Sequence, residues 1–155
     1  VGAPSIPFAV RDKGKAKSAI EGLRRVFPGK SIDLVELRKL SDNRGRAFEE
    51  DIIINATPAG MTGFEPANLI DTSMIRIQHT CFDFIYDPRP TPFLRAATQQ
   101  GAKTLDGLSL LVAQAQANFN VWTGRHFAAA EMMEELVKHV ESEHGGGHQD
   151  GVASS

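Results

Sequence analysis

Apolar residues fall into short unbroken runs separated by stretches of helical spacing, and this alternation organises the chain. IPFAV (6–10) is a β-branched and aromatic run of strand character. In KGKAKSAIEGLRRVF, Ala16, Ala19, Ile20, Leu23, Val26 and Phe27 recur at helical spacing until Pro28-Gly29 stops them. IDLVEL (32–37) predicts a second strand, and the charged SDNRGRAFEE a loop or short helix. DIIINA (51–56) is continuously apolar, which predicts a parallel strand buried on both faces. HTCFDFIY (79–86) is another, closed by the turn signal DPRPTP. TPFLRAATQQ predicts a helix with Pro92 at its start and Gly101 at its end. The short strand AKTL leads into LDGLSLLVAQAQANFNVWTG (105–124), a helix apolar on nearly every face with Asp106 as its N-cap. FAAAEMMEELVKHVE (127–141) is amphipathic, and EHGGGHQDGVASS (143–155) has the composition of a disordered tail.

Strands alternating with helices predict an α/β fold, a Rossmann-like parallel sheet with helices on both faces, in one domain over residues 1–142. Ligands of such sheets bind beyond the carboxyl ends of the strands. Arg11, Asp12, Lys13 and Lys15 follow the first strand; the cations suit a 2′-phosphate, the acid suits free ribose hydroxyls. The same residues also make an ordinary solvated first helical turn. Asn55, Ala56, Thr57, Pro58, Ala59 and Gly60 suit either a loop where backbone nears a ligand or a plain turn. Tyr86 is the only tyrosine, placed to offer its hydroxyl to a polar substrate or to pack at an edge. Asp83 lies inside an apolar run, so its carboxylate must find donors, and backbone amides of a neighbouring loop could supply them. Gly107, Leu110 or Leu111, and Gln114 share one helical face. An unpaired buried amide costs on the order of 1–3 kcal/mol. Gln114 therefore needs a partner, either a hydroxylated ligand in the crevice or Asn118 one turn on.

Composition narrows the function classes. With 155 residues, 41% hydrophobic and 23% charged, the chain suits one soluble domain with a real core. A net charge of −2 gives no electrostatic reason to expect nucleic acid or an anionic membrane as partner. No apolar run approaches the roughly 20 residues of a membrane span. Cys81 is alone, so no internal disulfide forms, and VGAPSIPFAV lacks the features of a secretory signal. A cytoplasmic protein is expected. The first residue is not methionine, a sign of processing, trimming or a fragment. His144 and His148 resemble a metal pair only by count, so no metal is expected.

DIIINATPAGM, FIYDPRPTPFL and GAKTLDGLSLLVAQAQANFNVWTG, in this order and spacing, resemble the C-terminal half of shikimate dehydrogenase. That family reduces 3-dehydroshikimate with NADPH in the shikimate pathway of aromatic amino acid biosynthesis. The resemblance runs from about Phe8 to Glu135 and is strongest between Asp51 and Gly124. It implies that Asn55, Ala56 and Thr57 lie against the cofactor, and that Arg11 and Lys15 hold its 2′-phosphate. It implies that Phe84 and Gly107 approach the nicotinamide, with Leu110 standing where methionine is frequent. Tyr86 and Gln114 match residues that contact shikimate hydroxyls. Val10 and Asp12 replace the family's asparagine and threonine, so NADP is implied with NAD left open. The family's catalytic Lys–Asp pair, its carboxylate-holding Ser and Thr, and its Gly-rich phosphate loop have no counterpart in these residues. No G-x-G-x-x-G occurs. The expected function is the cofactor-binding half of an oxidoreductase acting on shikimate or 3-dehydroshikimate, inactive alone. The alternative is a non-catalytic nucleotide-binding or self-associating module. Leu108, Leu111, Val112, Phe119, Val121 and Trp122 predict an apolar surface that seeks a second copy or a missing N-terminal catalytic domain.

Overall fold

Parallel strands and crossover helices alternate through the computed structural model, which describes residues 3, 5–41, 48–64, 70–126 and 128–145. β1 (Ser5–Val10) pairs with β2 (Ser31–Glu36), Ser5 opposite Ser31 and Val10 opposite Glu36. Between them runs α1 (Lys13–Val26). It starts where it does because Asp12 is extended and its carboxylate accepts from the Gly14 and Lys15 amides at 2.8 and 3.1 Å. Arg24 and Arg25 sit in its last turn, where cations suit the helix dipole. Arg24 also donates to the Ile32 carbonyl, from Nε at 2.8 Å, and so ties the helix end to the start of β2. The short α2 (Leu37–Ser41) follows.

A second sheet holds β3 (Ile52–Asn55), β4 (Thr80–Asp83) and β5 (Lys103–Leu105), parallel and in that order. α3 (Pro92–Gln99) makes the crossover from β4 to β5. The Thr91 hydroxyl caps α3 by accepting from the Leu94 amide at 3.2 Å, Pro92 opens it, and Gly101 turns the chain at φ 78°. Ile75, Cys81, Phe93, Leu94, Ala97 and Ala102 form the core, with Phe48, Ile53 and Ile70 packed against it. Burial there pushes the Cys81 thiol up to about 11, so it stays protonated at neutral pH. His79 is equally buried. Its Nδ1 accepts from the Arg76 amide at 2.8 Å, which leaves the proton on Nε2 to donate to the Phe48 carbonyl at 3.2 Å. It is a core histidine. α4 (Gly107–Thr123) ends at the left-handed Gly124 and packs on α5 (Ala129–Gly145).

Several expectations need correction. β3 is not buried on both faces: Ile53 meets the core, whereas Ile52 and Ile54 are 61% and 55% exposed. A continuous apolar run predicts cover on both sides, but α3 covers one side only. The apolar surface of α4 is narrower than its composition suggested. Leu108 and Val112 are buried and Phe119 half-buried, Leu111 is partly exposed, and Val121 and Trp122 are 81% exposed. α5 continues past Glu141 to Gly145, so the first residues of the expected tail are helical; 146–155, with His148, lie outside the described residues.

Candidate functional site

The carboxyl ends of β3 and β4 are joined by a hydrogen-bond network built on two side chains. Asn55, the last residue of β3, donates from Nδ2 to the Ala59 carbonyl at 3.0 Å and to Asp83 Oδ1 at 3.1 Å. Its Oδ1 accepts from the Thr57 amide at 3.1 Å and the Thr57 hydroxyl at 2.8 Å. Two donor hydrogens and two lone pairs exhaust what an asparagine amide offers. Thr57 Oγ1 in turn accepts from the Ala59 amide at 3.2 Å. The loop 55–60 is thus held by its own side chains. Only backbone and the exposed apolar side chains of Ala56 and Pro58 remain to meet a ligand there.

Asp83 is the other centre, fully buried at the end of β4. Oδ2 accepts from the Thr91 hydroxyl at 2.7 Å, and Oδ1 from the Ile85 amide at 3.0 Å as well as from Asn55. A backbone donor is present, but it comes from Ile85, two residues on in the same run, and not from a neighbouring loop. The side-chain donors Thr91 and Asn55 were not foreseen; the one sequence signal for Thr91 was its place before Pro92 at a helix start. Together they fasten the ends of two strands to the first turn of α3.

Beyond Asp83 the chain passes Phe84 and Tyr86, each about half exposed, and turns through cis peptide bonds before Pro88 and Pro90. Phe84 stacks edge-on to Phe82 at 5.0 Å between ring centroids. Tyr86, Arg89, Asp106 and Ser109 line an open cavity of about 650 Å³. Arg89 Nη2 lies 2.6 Å from Asp106 Oδ2. Burial raises the Asp106 carboxyl, but hydrogen bonds from the Ser109 amide and hydroxyl and the pairing with Arg89 outweigh it and hold the group below the usual carboxylate range. As the cap of α4, Asp106 accepts from Ser109 N at 3.0 Å and Ser109 Oγ at 2.9 Å.

Gly107 follows, buried, its amide donating to the Ile85 carbonyl at 3.2 Å. A Cβ at this position would overlap the Phe84 carbonyl oxygen. The close approach that demands glycine is therefore made to the protein's own strand end. Leu110 is half-buried. Gln114 is two turns further on the same face, about 10 Å along the axis. It is exposed, and its side chain has no hydrogen-bond partner among the described residues, Asn118 included. It does not line the cavity that Tyr86 lines. At the end of β1, Arg11 and Lys15 are exposed with unpaired side chains among the described residues, while the Asp12 carboxylate is engaged in capping α1. Among those residues no group of three or more His, Cys, Asp or Glu could hold a metal, and no helix is long and apolar enough to cross a membrane.

Parallel strands, crossover helices and polar residues gathered at strand ends define a Rossmann-like α/β fold. More particularly, the chain is homologous to the shikimate dehydrogenases. It is 35% identical over 120 residues to the NADP⁺-dependent shikimate dehydrogenase of Archaeoglobus fulgidus, a match covering 77% of this chain and 42% of that protein. The structure of quinate dehydrogenase from Corynebacterium glutamicum in complex with NAD overlays 88% of this chain and 47% of its own at TM-score 0.75 and 27% identity. A shikimate dehydrogenase in complex with NADP⁺ overlays 87% and 46% at TM-score 0.71, also at 27% identity. The chain thus spans under half the length of these relatives. No family model matches it.

The residues fit one end of a dinucleotide. Arg11 and Lys15 at the end of β1, without side-chain partners among the described residues, suit a phosphorylated adenosine ribose. A pyrophosphate needs a cradle of backbone amides at a Gly-rich turn, and no described strand leads into a G-x-G-x-x-G turn.

Proposed function

We propose that these residues form the cofactor-binding half of a shikimate-dehydrogenase-type oxidoreductase, with NADP as its cofactor and shikimate or 3-dehydroshikimate as the substrate of the whole protein. The observation that carries this reading is the pairing of two cofactor-side features in one chain. Arg11 and Lys15 have no side-chain partner among the described residues at one strand end, and the loop 55–60 is pre-formed at another. Tyr86 and Gln114 are the residues for substrate hydroxyls. The half-exposed phenol borders the cavity, and the exposed glutamine amide has no partner among the described residues. Asp12 opposes a 2′-phosphate by charge, so NAD remains a competing cofactor. Arg11→Ala is expected to weaken NADP binding about tenfold, the scale of one charge-assisted hydrogen bond, and NAD binding far less. Calorimetric titration of both cofactors checks this; equal losses would remove the 2′-phosphate assignment.

A second reading is favoured by Val121 and Trp122, which stand 81% exposed near the end of α4. Burying such side chains is worth roughly 1.5–3 kcal/mol each, so α4 is a surface for a second copy or for a further domain outside these residues. The chain is expected to sediment as a dimer or larger at micromolar concentration, and Trp122→Ser to shift it toward monomer. Wild-type chain sedimenting as a monomer that binds no hydrophobic dye would sink this reading.

A further inference from the structure

The direction of every hydrogen bond at the ends of β3 and β4 follows from a single group. Asp83 is fully buried and takes three donors. The Asn55 amide nitrogen and the Ile85 backbone N–H meet Oδ1 at 3.1 and 3.0 Å, and the Thr91 hydroxyl meets Oδ2 at 2.7 Å. A neutral amide in its place would have one oxygen with two lone pairs, too few for all three. A carboxylate can accept them all, and it has nothing to donate. No cation pairs with Asp83 among the described residues, so its charge acts on these neutral donors alone.

One branch leads from Asp83 into the loop 55–60. Asn55 and Asp83 are partners across the ladder of β3 and β4. A neighbour that only accepts leaves Asn55 a single orientation, with Nδ2 toward Asp83 and Oδ1 toward the loop. There Oδ1 receives the Thr57 amide at 3.1 Å and the Thr57 hydroxyl at 2.8 Å. A hydroxyl whose proton is committed can only accept, and Thr57 Oγ1 accepts from the Ala59 amide at 3.2 Å. The second Nδ2 hydrogen closes the loop on the Ala59 carbonyl at 3.0 Å. The Thr57 and Ala59 N–H groups are thereby engaged by side chains of the loop itself, and Ala56 and Pro58 are left outermost.

The other branch leads toward the cavity. Ile85 is held at both ends of its backbone: its N–H donates to Asp83 and its carbonyl accepts from the Gly107 amide at 3.2 Å. With both peptide groups fixed, the chain leaves in one direction for Tyr86, whose half-exposed phenol borders the cavity. The third contact differs from these two. Thr91 caps α3 through the Leu94 amide at 3.2 Å and leads back into the core, away from both exposed sides.

We propose that Asp83 is a positioning residue. Through Asn55 its charge sets which way the groups of the loop 55–60 face, and through Ile85 it sets the direction of Tyr86. Two sides of the site are then ordered together by one group that itself touches no ligand. That these sides hold cofactor and substrate rests on the reading above; their joint ordering does not.

The test follows near-isosteric variants of the chain by amide hydrogen exchange and by the ring resonances of Tyr86, the only tyrosine. In Asp83→Asn the new NH2 fits in the place of Oδ2, where Thr91 Oγ1 has a second lone pair, but the oxygen that faces Asn55 and Ile85 becomes neutral. Hydrogen bonds to a charged acceptor are roughly twice as strong as neutral ones. The Thr57, Ala59 and Ile85 amides are therefore expected to exchange about tenfold faster, and the Tyr86 ring signals to shift and broaden. The Lys103 amide, bonded to the His79 carbonyl at 3.1 Å, should keep its rate. Thr91→Val removes one donor and leaves the charge, so only the Leu94 amide should be released.

The double exchange of Asn55→Asp with Asp83→Asn separates direction from mere pairing. It keeps one carboxylate and one amide but reverses them. The new carboxylate then meets the Ala59 carbonyl, and the new NH2 meets the Ile85 N–H, so protection should not return. Joint acceleration at the three amides in Asp83→Asn with Lys103 unchanged, unrelieved by the double exchange, supports the proposal. It is overturned by no acceleration, by acceleration in the loop alone or at Ile85 alone, by the same pattern in Thr91→Val, or by recovery in the double exchange. Loss of protection throughout, Lys103 included, also overturns it, since a carboxylate needed only for folding would give that result. NADP titration reports separately: a wild-type chain that binds no NADP defeats the cofactor reading and leaves the exchange pattern to decide on Asp83.

Discussion

Supplied with saturating shikimate and either NADP or NAD, the purified chain is expected to form no reduced cofactor above background. Taking a hydride from an alcohol carbon requires a base for the hydroxyl proton. Asp83 is fully buried and receives three hydrogen bonds, from Asn55, Ile85 and Thr91. Asp106 is spent on Arg89 and Ser109. His79 is locked in the core between the Arg76 amide and the Phe48 carbonyl. Asp87 also lines the cavity, but it is half-buried and already has an interaction of its own, and the Tyr86 hydroxyl beside it is suited to orienting a hydroxylated substrate. Following reduced-cofactor absorbance over hours decides the matter. Turnover in the ordinary enzyme range, about 1–10³ s⁻¹, would mean that a base at these strand ends has been overlooked.

Gly107→Ala is expected to be the most destabilising of the glycine replacements. The added Cβ meets the carbonyl of Phe84, which is backbone at a strand end, so no flexible side chain can yield. Either α4 lifts from β4 and loses the Gly107–Ile85 hydrogen bond, or the strand end moves and disturbs the Asp83 network. Overpacking of this kind costs about 3 kcal/mol or somewhat more. At this chain length that is a fall of roughly 10 °C in Tm. Gly22→Ala is the internal contrast. It lies within α1, an added Cβ there meets nothing within 4 Å, and the change should stabilise by up to about 1 kcal/mol. Thermal melts of the two variants compare directly; coincident curves would show that the Phe84 contact is not tight.

The order of strands and helices was legible because each element shorter than twenty residues carries its own period. Asp12, Thr91 and Asp106 begin helices by local hydrogen bonds, and such short-range chemistry is written in adjacent residues. What stayed illegible depends on distant segments. IIIN reads as buried on both sides, but whether Ile52 and Ile54 are covered depends on a helix elsewhere. The helix 107–123 is apolar almost throughout, so its composition could not say that Leu108 and Val112 face inward while Val121 and Trp122 face out. At the site, the residue types at the strand ends were readable from position. Their partners were not. Asn55 satisfies a loop instead of presenting its amide outward, and the donor that completes Asp83 arrives from Thr91, eight residues on.

The self-contained bonding of Asn55 and Thr57 has a consequence for recognition. A loop that has already spent its ordering entropy during folding charges an arriving ligand little for closure. It also gives that ligand little side-chain chemistry to read. Contacts here would be set by the contour of the main chain, the methyl of Ala56 and the ring of Pro58. The loop would then act as a gauge of ligand thickness, nearly indifferent to the polar groups the ligand carries, and discrimination between related molecules would fall to the less constrained groups at Arg11, Tyr86 and Gln114.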